Sequence, residues 1–326
     1  MLGLIQITPL HWAGFVLCVL FFLALDLGLL NRRPHVVSFK EALRWSIFWC
    51  ILAMLFAMAL VPLRGREEAV EFVTGYVIEL SLSMDNVFVI ALIFAFFRVP
   101  SQFQHRVLFW GIMGALVMRG TMILAGAALV QRFQWTLYIF GAFLVFTGIK
   151  MLFADDEGVE PEKNPVIKLA RKFFPIAEGT HNEKFVIQVN GRKMLTSLAL
   201  VLLMVETTDL IFALDSIPAI FAVTTKPFIV FTSNVFAILG LRSLYFVLAG
   251  AIDYFRYLKI GLSVVLVFVG VKMLLAPHGE DAHKWFQLEI PTWLSLVVIA
   301  AILTTAILVS VLATKRERKQ AVDGRK

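Results

Sequence analysis

Glu79-Leu-Ser-Leu-Ser-Met-Asp85-Asn86-Val87 and Asp209-Leu-Ile-Phe-Ala-Leu-Asp215-Ser216-Ile217 share one pattern: an acid, five residues, a second acid, then an amide or hydroxyl side chain. Glu206, three residues before Asp209, adds a fifth acid. Both stretches lie in apolar runs long enough to cross a bilayer. An ionisable side chain at that depth is costly and is by default part of a functional site.

Around these stretches, 60% of the 326 residues are hydrophobic, in runs that match the ~20 residues a spanning helix needs. The expected fold is all-α, a polytopic membrane protein of about nine spans in one transmembrane domain, 1–326. The expected spans are His11 to Leu30, Trp45 to Val61, Phe72 to Phe97, Val107 to Val130, Trp135 to Phe153, Leu195 to Val223, Phe228 to Ile252, Ile260 to Ala276 and Ile290 to Ala313. No stretch between them is long enough for a separate soluble domain. The first span carries Asp26 and lacks a basic region before it, which favours a retained helix over a signal peptide.

The formal charge of +7 would suggest nucleic acid if the basic residues formed a patch. Instead they alternate between loops: Arg32, Arg33, Lys40 and Arg44 follow the first span, seven lie between 155 and 194, and six follow the last span. The intervening loops hold one or two each. This asymmetry argues against nucleic acid and predicts an outer N-terminus and a cytoplasmic C-terminus. The two cysteines, Cys18 and Cys50, fall in spans and form neither a disulfide framework nor a thiolate metal site.

On an ideal helix Glu79, Ser83 and Asn86 share one face, whereas Ser81 and Asp85 form another stripe. In the second copy Glu206, Asp209 and Ser216 share a side, with Thr208 and Asp215 elsewhere. Two acids of one copy therefore face different neighbours unless the helix is distorted between them. Pro218 offers such a distortion, since it cannot donate to the Leu214 carbonyl.

The duplication extends further. Leu144-Val-Phe-Thr-Gly-Ile-Lys150-Met-Leu-Phe-Ala154 matches Leu266-Val-Phe-Val-Gly-Val-Lys272-Met-Leu-Leu-Ala276, and Arg119 with Leu-Ala-Gly126 matches Arg242 with Leu-Ala-Gly250. Residues 72–154 thus form a first repeat and 195–276 a second, and an odd number of spans per unit inverts the second in the membrane. Transporters of this design bind substrate near the midplane where the repeats meet. Arg119 and Arg242 are deep enough either to neutralise motif acids or to cap carbonyls. Lys150 and Lys272 read as snorkelling residues, and Asp26 as an interfacial acid beside Arg32 and Arg33.

Between the repeats, residues 155–194 predict a cytoplasmic loop holding a short amphipathic helix from Asn164 to Phe174. A hairpin about Asn190-Gly191 follows. The Lys315 to Lys319 cluster reads as an orientation anchor.

Taken together, Glu79-x5-Asp85-Asn86, Glu206-x2-Asp209-x5-Asp215-Ser216-x-Pro218 and Leu25-Asp-Leu-Gly28 before Arg32 and Arg33 resemble the TerC family of bacterial inner-membrane proteins, closest to its Alx branch. The resemblance covers nearly the whole chain. It implies membership of the lysine-exporter superfamily of inverted-repeat transporters and an association with manganese export and tellurium resistance.

The expected function is secondary transport of a divalent cation, Mn²⁺, out of the cytoplasm. Its ligands are expected to come from Glu79, Asp85, Asn86, Glu206, Asp209, Asp215 and Ser216. Neither motif holds His or Cys, which disfavours Zn²⁺ and copper. Mg²⁺ gives up its water reluctantly and Ca²⁺ wants more ligands than a narrow helix junction offers. Met84 and Met204 stand beside the acids as packing or as soft contacts to Mn²⁺. Crowded carboxylates cannot stay fully ionised when the ion leaves, so protons are the expected counter-substrate. No permanently bound cofactor is expected, and the partners are the cation, protons and the lipid bilayer.

Three other readings use the same residues. In one, the acids only form buried ion pairs with the two arginines. In another, the chain is a non-transporting membrane factor in tellurite or metal stress, or in metalation of exported proteins. The third is an intramembrane aspartyl protease, and the Gly-x-Gly-Asp and Tyr-Asp pairs of that class are absent, so no enzyme activity is expected.

Overall fold

A computed structural model describes residues 7–25, 38–153, 164–177, 184–189, 191–249, 258–277, 288 and 290–323. Its elements run α1 (Pro9–Leu25), α2 (Phe39–Arg64), α3 (Arg66–Phe96), α4 (Ser101–Arg132), α5 (Thr136–Phe153) and α6 (Pro165–Phe173). A hairpin of β1 (Val186–Val189) and β2 (Arg192–Leu195) follows, then α7 (Ser197–Phe221), α8 (Pro227–Ala249), α9 (Leu258–Leu275) and α10 (Thr292–Asp323). Eight of the helices are long and apolar enough to cross a membrane. The first expected span is represented by α1, whose 17 residues give ~26 Å of helix. Asp26, Arg32 and Arg33 lie outside the described residues.

Local chemistry sets the ends. Ser38 Oγ accepts from the Glu41 amide to start α2, and Gly65, at φ +97°, separates α2 from α3 with a conformation that favours glycine. Thr196 Oγ1 accepts from the Ala199 amide and donates to the Lys184 carbonyl at 2.8 Å, so one side chain both caps α7 and ties the hairpin to it. In the hairpin Val189 pairs with Arg192, which leaves a two-residue turn with Gly191 at φ +77°. Helix α7 continues through Pro218 to Phe221.

Helices α3 and α4 each pack against both α7 and α8, and α5 packs against α9. Helix α2 covers α3 and α8, while α10 lies on α9 and α3. Of the apolar window of α8, 89% is buried, against 17% for α10, which makes α8 central and α10 peripheral. Backbones come close along α5 and α9: a Cβ on Gly270 would stand 2.7 Å from the Gly141 carbonyl oxygen, and one on Gly148 2.9 Å from that of Ser263. The repeat aligns Gly148 with Gly270 and, in the same register, Gly141 with Ser263. The two close contacts therefore exchange under the alignment, as contacts across a two-fold axis do. The pairs α3 with α8 and α7 with α4 exchange in the same way.

Candidate functional site

The seam between α3, α4 and α7 holds a charged centre. Arg119, 2% exposed, reaches from α4 with Nε to Asp209 Oδ2 at 3.1 Å and Nη2 to Asp209 Oδ1 at 2.7 Å, a bidentate fork. Its Nη1 donates to Glu79 Oε1 on α3 and lies 3.5 Å from Ser216 Oγ. Asn86 Nδ2 donates to Asp209 Oδ1 at 2.9 Å. The two acids that Arg119 joins are the first acids of the two matching motifs, Glu79-x5-Asp85 and Asp209-x5-Asp215.

This arrangement follows from helical period. Helix α3 runs unbroken through the motif, so Glu79, Ser83 and Asn86 keep the common face that the sequence predicts. All three are buried. Glu79 Oε2, Ser83 Oγ and Asn86 Oδ1 have no hydrogen-bond partner among the described residues. Buried polar atoms are normally satisfied, and each orphan costs about 1–3 kcal/mol. These oxygens belong to a cluster of two carboxylates and one guanidinium that carries one negative charge in excess when both acids are ionised.

The other expected ligands are dispersed. Asp215 faces α5, where the Thr147 hydroxyl and the Lys150 ammonium act on its carboxylate. Asp85 is half-buried on the other stripe of α3. With α3 and α7 both continuous, the two acids of a copy cannot share an ion, so the five-acid site expected from sequence is not one cluster. Among the described residues no three His, Cys, Asp or Glu side chains gather closely enough to hold a metal on their own. Glu206 is half-buried, feels the Asp209 charge and lies against α4 at Gly114, where an added Cβ would be 2.0 Å from Glu206 Oε1. The Met204 sulfur accepts from Asn164 Nδ2 at 3.2 Å, so it serves the junction with α6. Arg242, the counterpart of Arg119, lies 3.2 Å from His105 Nε2.

A second polar cluster went unread in the sequence. At the end of the bundle where α2 meets α3, Lys226 Nζ lies 3.1 Å from Glu71 and 3.4 Å from Glu68. Arg64 holds Glu68 at 2.7 Å and Thr224 donates to Glu71 at 2.9 Å. Buried Lys272 lies near enough to Glu71 for their charges to interact, so it is more than a snorkelling residue. Glu68 is 11 residues before Glu79, which returns it to the same helix face; that periodicity was the available signal. Asn234 on α8 is also buried with neither amide atom bonded. It follows Ser233, whose Oγ would lie 2.9 Å from a Cβ on Gly75, one turn of α3 from Glu79.

Apolar helices of this length around a buried carboxylate–arginine centre define a multi-pass α-helical membrane protein. The chain belongs to the TerC family of integral membrane proteins, whose model matches residues 64–318. An uncharacterised membrane protein of Myxococcus xanthus is 48% identical over 319 residues, covering 98% of this chain and 97% of its own. Proteins named Alx and described as proposed membrane-bound redox modulators are also similar. That of Salmonella typhi is 46% identical, covering 93% of this chain and 94% of its own. That of Escherichia coli K12 is 45% identical, covering 96% and 98%. No solved structure matches the chain.

Proposed function

We propose that the protein is a secondary transporter that exports a divalent cation, Mn²⁺, across the bacterial inner membrane in exchange for protons. The observation that carries this reading is the set of buried, unpartnered oxygens, Glu79 Oε2, Ser83 Oγ and Asn86 Oδ1, next to the paired Glu79 and Asp209 carboxylates. In this reading Glu79 and Asp209 supply the charged ligands and Asn86, Ser83 and Ser216 the neutral ones. An oxygen-only set without imidazole or thiolate suits Mn²⁺ above Zn²⁺ or copper. When the ion leaves, one proton on the Glu79 and Asp209 pair cancels the excess charge that Arg119 leaves uncompensated. A strain lacking this gene should accumulate Mn²⁺ and become sensitive to added manganese, with both effects reversed by the wild-type gene. Unchanged Mn²⁺ alongside a rise in Ca²⁺ or Zn²⁺ would overturn the ion assignment.

In this reading, as the basic flanks predict, the loop carrying the hairpin is cytoplasmic and the α4–α5 turn faces outward. Gln188 in β1 and Gln134 in that turn are both exposed. With Cys18 and Cys50 replaced, a cysteine at Gln134 should react with an impermeant thiol reagent in spheroplasts, and one at Gln188 should react only after lysis. Labelling of the Gln188 position before lysis would reverse the orientation.

A second reading, the non-transporting membrane factor, draws on the Arg119 bridge, since an arginine between two acids also serves as a purely structural pair. Purified protein that neither binds nor moves any cation would favour it.

A further inference from the structure

Two facts about the centre are in tension with simple cation binding. The carboxylates best placed to receive a divalent ion, Glu79 and Asp209, are already held by Arg119 through Nη1, Nη2 and Nε. A divalent ion bonded to those oxygens would stand within a few Å of the guanidinium, at a buried place where like charges repel strongly. Yet Glu79 Oε2, Ser83 Oγ and Asn86 Oδ1, on one face of α3, are buried beside it without partners. The site has the oxygen-rich composition of a cation site, with a protein cation among its carboxylates.

An arginine that leaves such a site needs another carboxylate, and one is at hand. Glu206 precedes Asp209 by three residues, about one turn along α7. Its carboxylate lies against Gly114, five residues before Arg119 on α4, where the missing Cβ leaves it room. Among the described residues Glu206 forms no hydrogen bond or ion pair; the charge acting on it is that of Asp209. A rotamer change of a side chain as long as arginine covers one helical turn.

We infer that Arg119 is a tethered counter-cation, which occupies the Glu79–Asp209 site while cargo is absent and moves to Glu206 when a divalent cation binds. This rests on the transport reading above and assigns Glu206 a role other than ligand. The empty carrier keeps one of its two central carboxylates compensated, so it can return without cargo. The loaded carrier has both carboxylates on the ion and the guanidinium on Glu206.

Arg119 and Glu206 then depend energetically on each other, and a double-mutant cycle reads this directly. Mn²⁺ binding is measured by calorimetry on purified full-length wild type, Arg119→Gln, Glu206→Gln and the double variant, and flux is measured in proteoliposomes. Arg119→Gln should bind Mn²⁺ about tenfold tighter, because the competitor is gone, and should keep Mn²⁺/Mn²⁺ exchange while losing net export. Glu206→Gln should weaken binding about tenfold in the wild-type background and have no effect once Arg119 is Gln. If Arg119→Gln does not fold, Arg119→Lys, which keeps the charge but loses the fork, should show the same dependence on Glu206 to a smaller extent. Equal weakening by Glu206→Gln in both backgrounds would make Glu206 a ligand and overturn the switch, as would weaker binding by Arg119→Gln. Absence of Mn²⁺ binding in folded wild type would overturn the transport reading itself, and the switch with it.

Discussion

The Asp209→Asn protein is expected to reach the membrane in near-normal amount and to export cation at about 1% of the wild-type rate or less. Asp209 takes both arms of the Arg119 fork and the Asn86 amide, and Asn preserves its shape while removing its charge. The trio of Glu79, Asp209 and Arg119 then changes from a net charge of −1 to zero. Arg119 still has the Glu79 carboxylate, so no charge is left buried alone, and the folding cost stays below the ~3–5 kcal/mol of a broken buried pair. Transport has no such refuge. One of two charged ligands is gone, and a loss of about 3 kcal/mol in ion binding is already a hundredfold. Glu79→Gln should behave alike. Asp215→Asn should leave more activity, because Asp215 faces Thr147 and Lys150 on α5. Rates are read as Mn²⁺ efflux from loaded cells, normalised to membrane-inserted protein. Asp209→Asn with wild-type efflux would remove the centre from the transport path.

The sequence carried the helical architecture because apolar runs and bilayer thickness leave few alternatives, and it carried the stripe of Glu79, Ser83 and Asn86 because helical period fixes a face. It could not fix which neighbour each stripe meets. Glu79 and Asp85 look equivalent as acids at a similar depth, yet α3 turns Glu79 toward Arg119 and Asp85 to the other stripe. The same ambiguity hid the role of Asp215 and Glu206, whose surroundings depend on how α4 and α5 pack on α7. The Met204 thioether, read beside the acids, belongs instead to the contact with Asn164. Nothing local in the sequence says that α8 begins over the start of α3, where Lys226 meets Glu68 and Glu71.

The second large effect concerns stability. Gly270→Ala should lower the thermal midpoint of the detergent-solubilised protein by several degrees, and Gly270→Val should leave little folded protein. A Cβ at Gly270 stands 2.7 Å from the Gly141 carbonyl oxygen and 2.9 Å from the Val145 amide nitrogen, backbone atoms that no rotamer change can move. The helices must separate, and overpacking of this kind costs about 1–3 kcal/mol or more. Gly148→Ala should cost a similar amount, its Cβ meeting the Ser263 oxygen at 2.9 Å and the Val267 nitrogen at 3.0 Å. Gly14→Ala is the control, with nothing within 4 Å. Equal midpoints for all three would mean that α5 and α9 do not pack through these glycines.

The most direct test of the account is Mn²⁺ flux into proteoliposomes driven by an imposed pH gradient with the voltage clamped. Wild type, the Glu79→Gln/Asp209→Asn double variant and Glu67→Gln, an exposed acid away from the centre, are compared at equal reconstitution. The account predicts gradient-driven flux for wild type and Glu67→Gln and none above empty liposomes for the double variant. Undiminished flux in the double variant would contradict it.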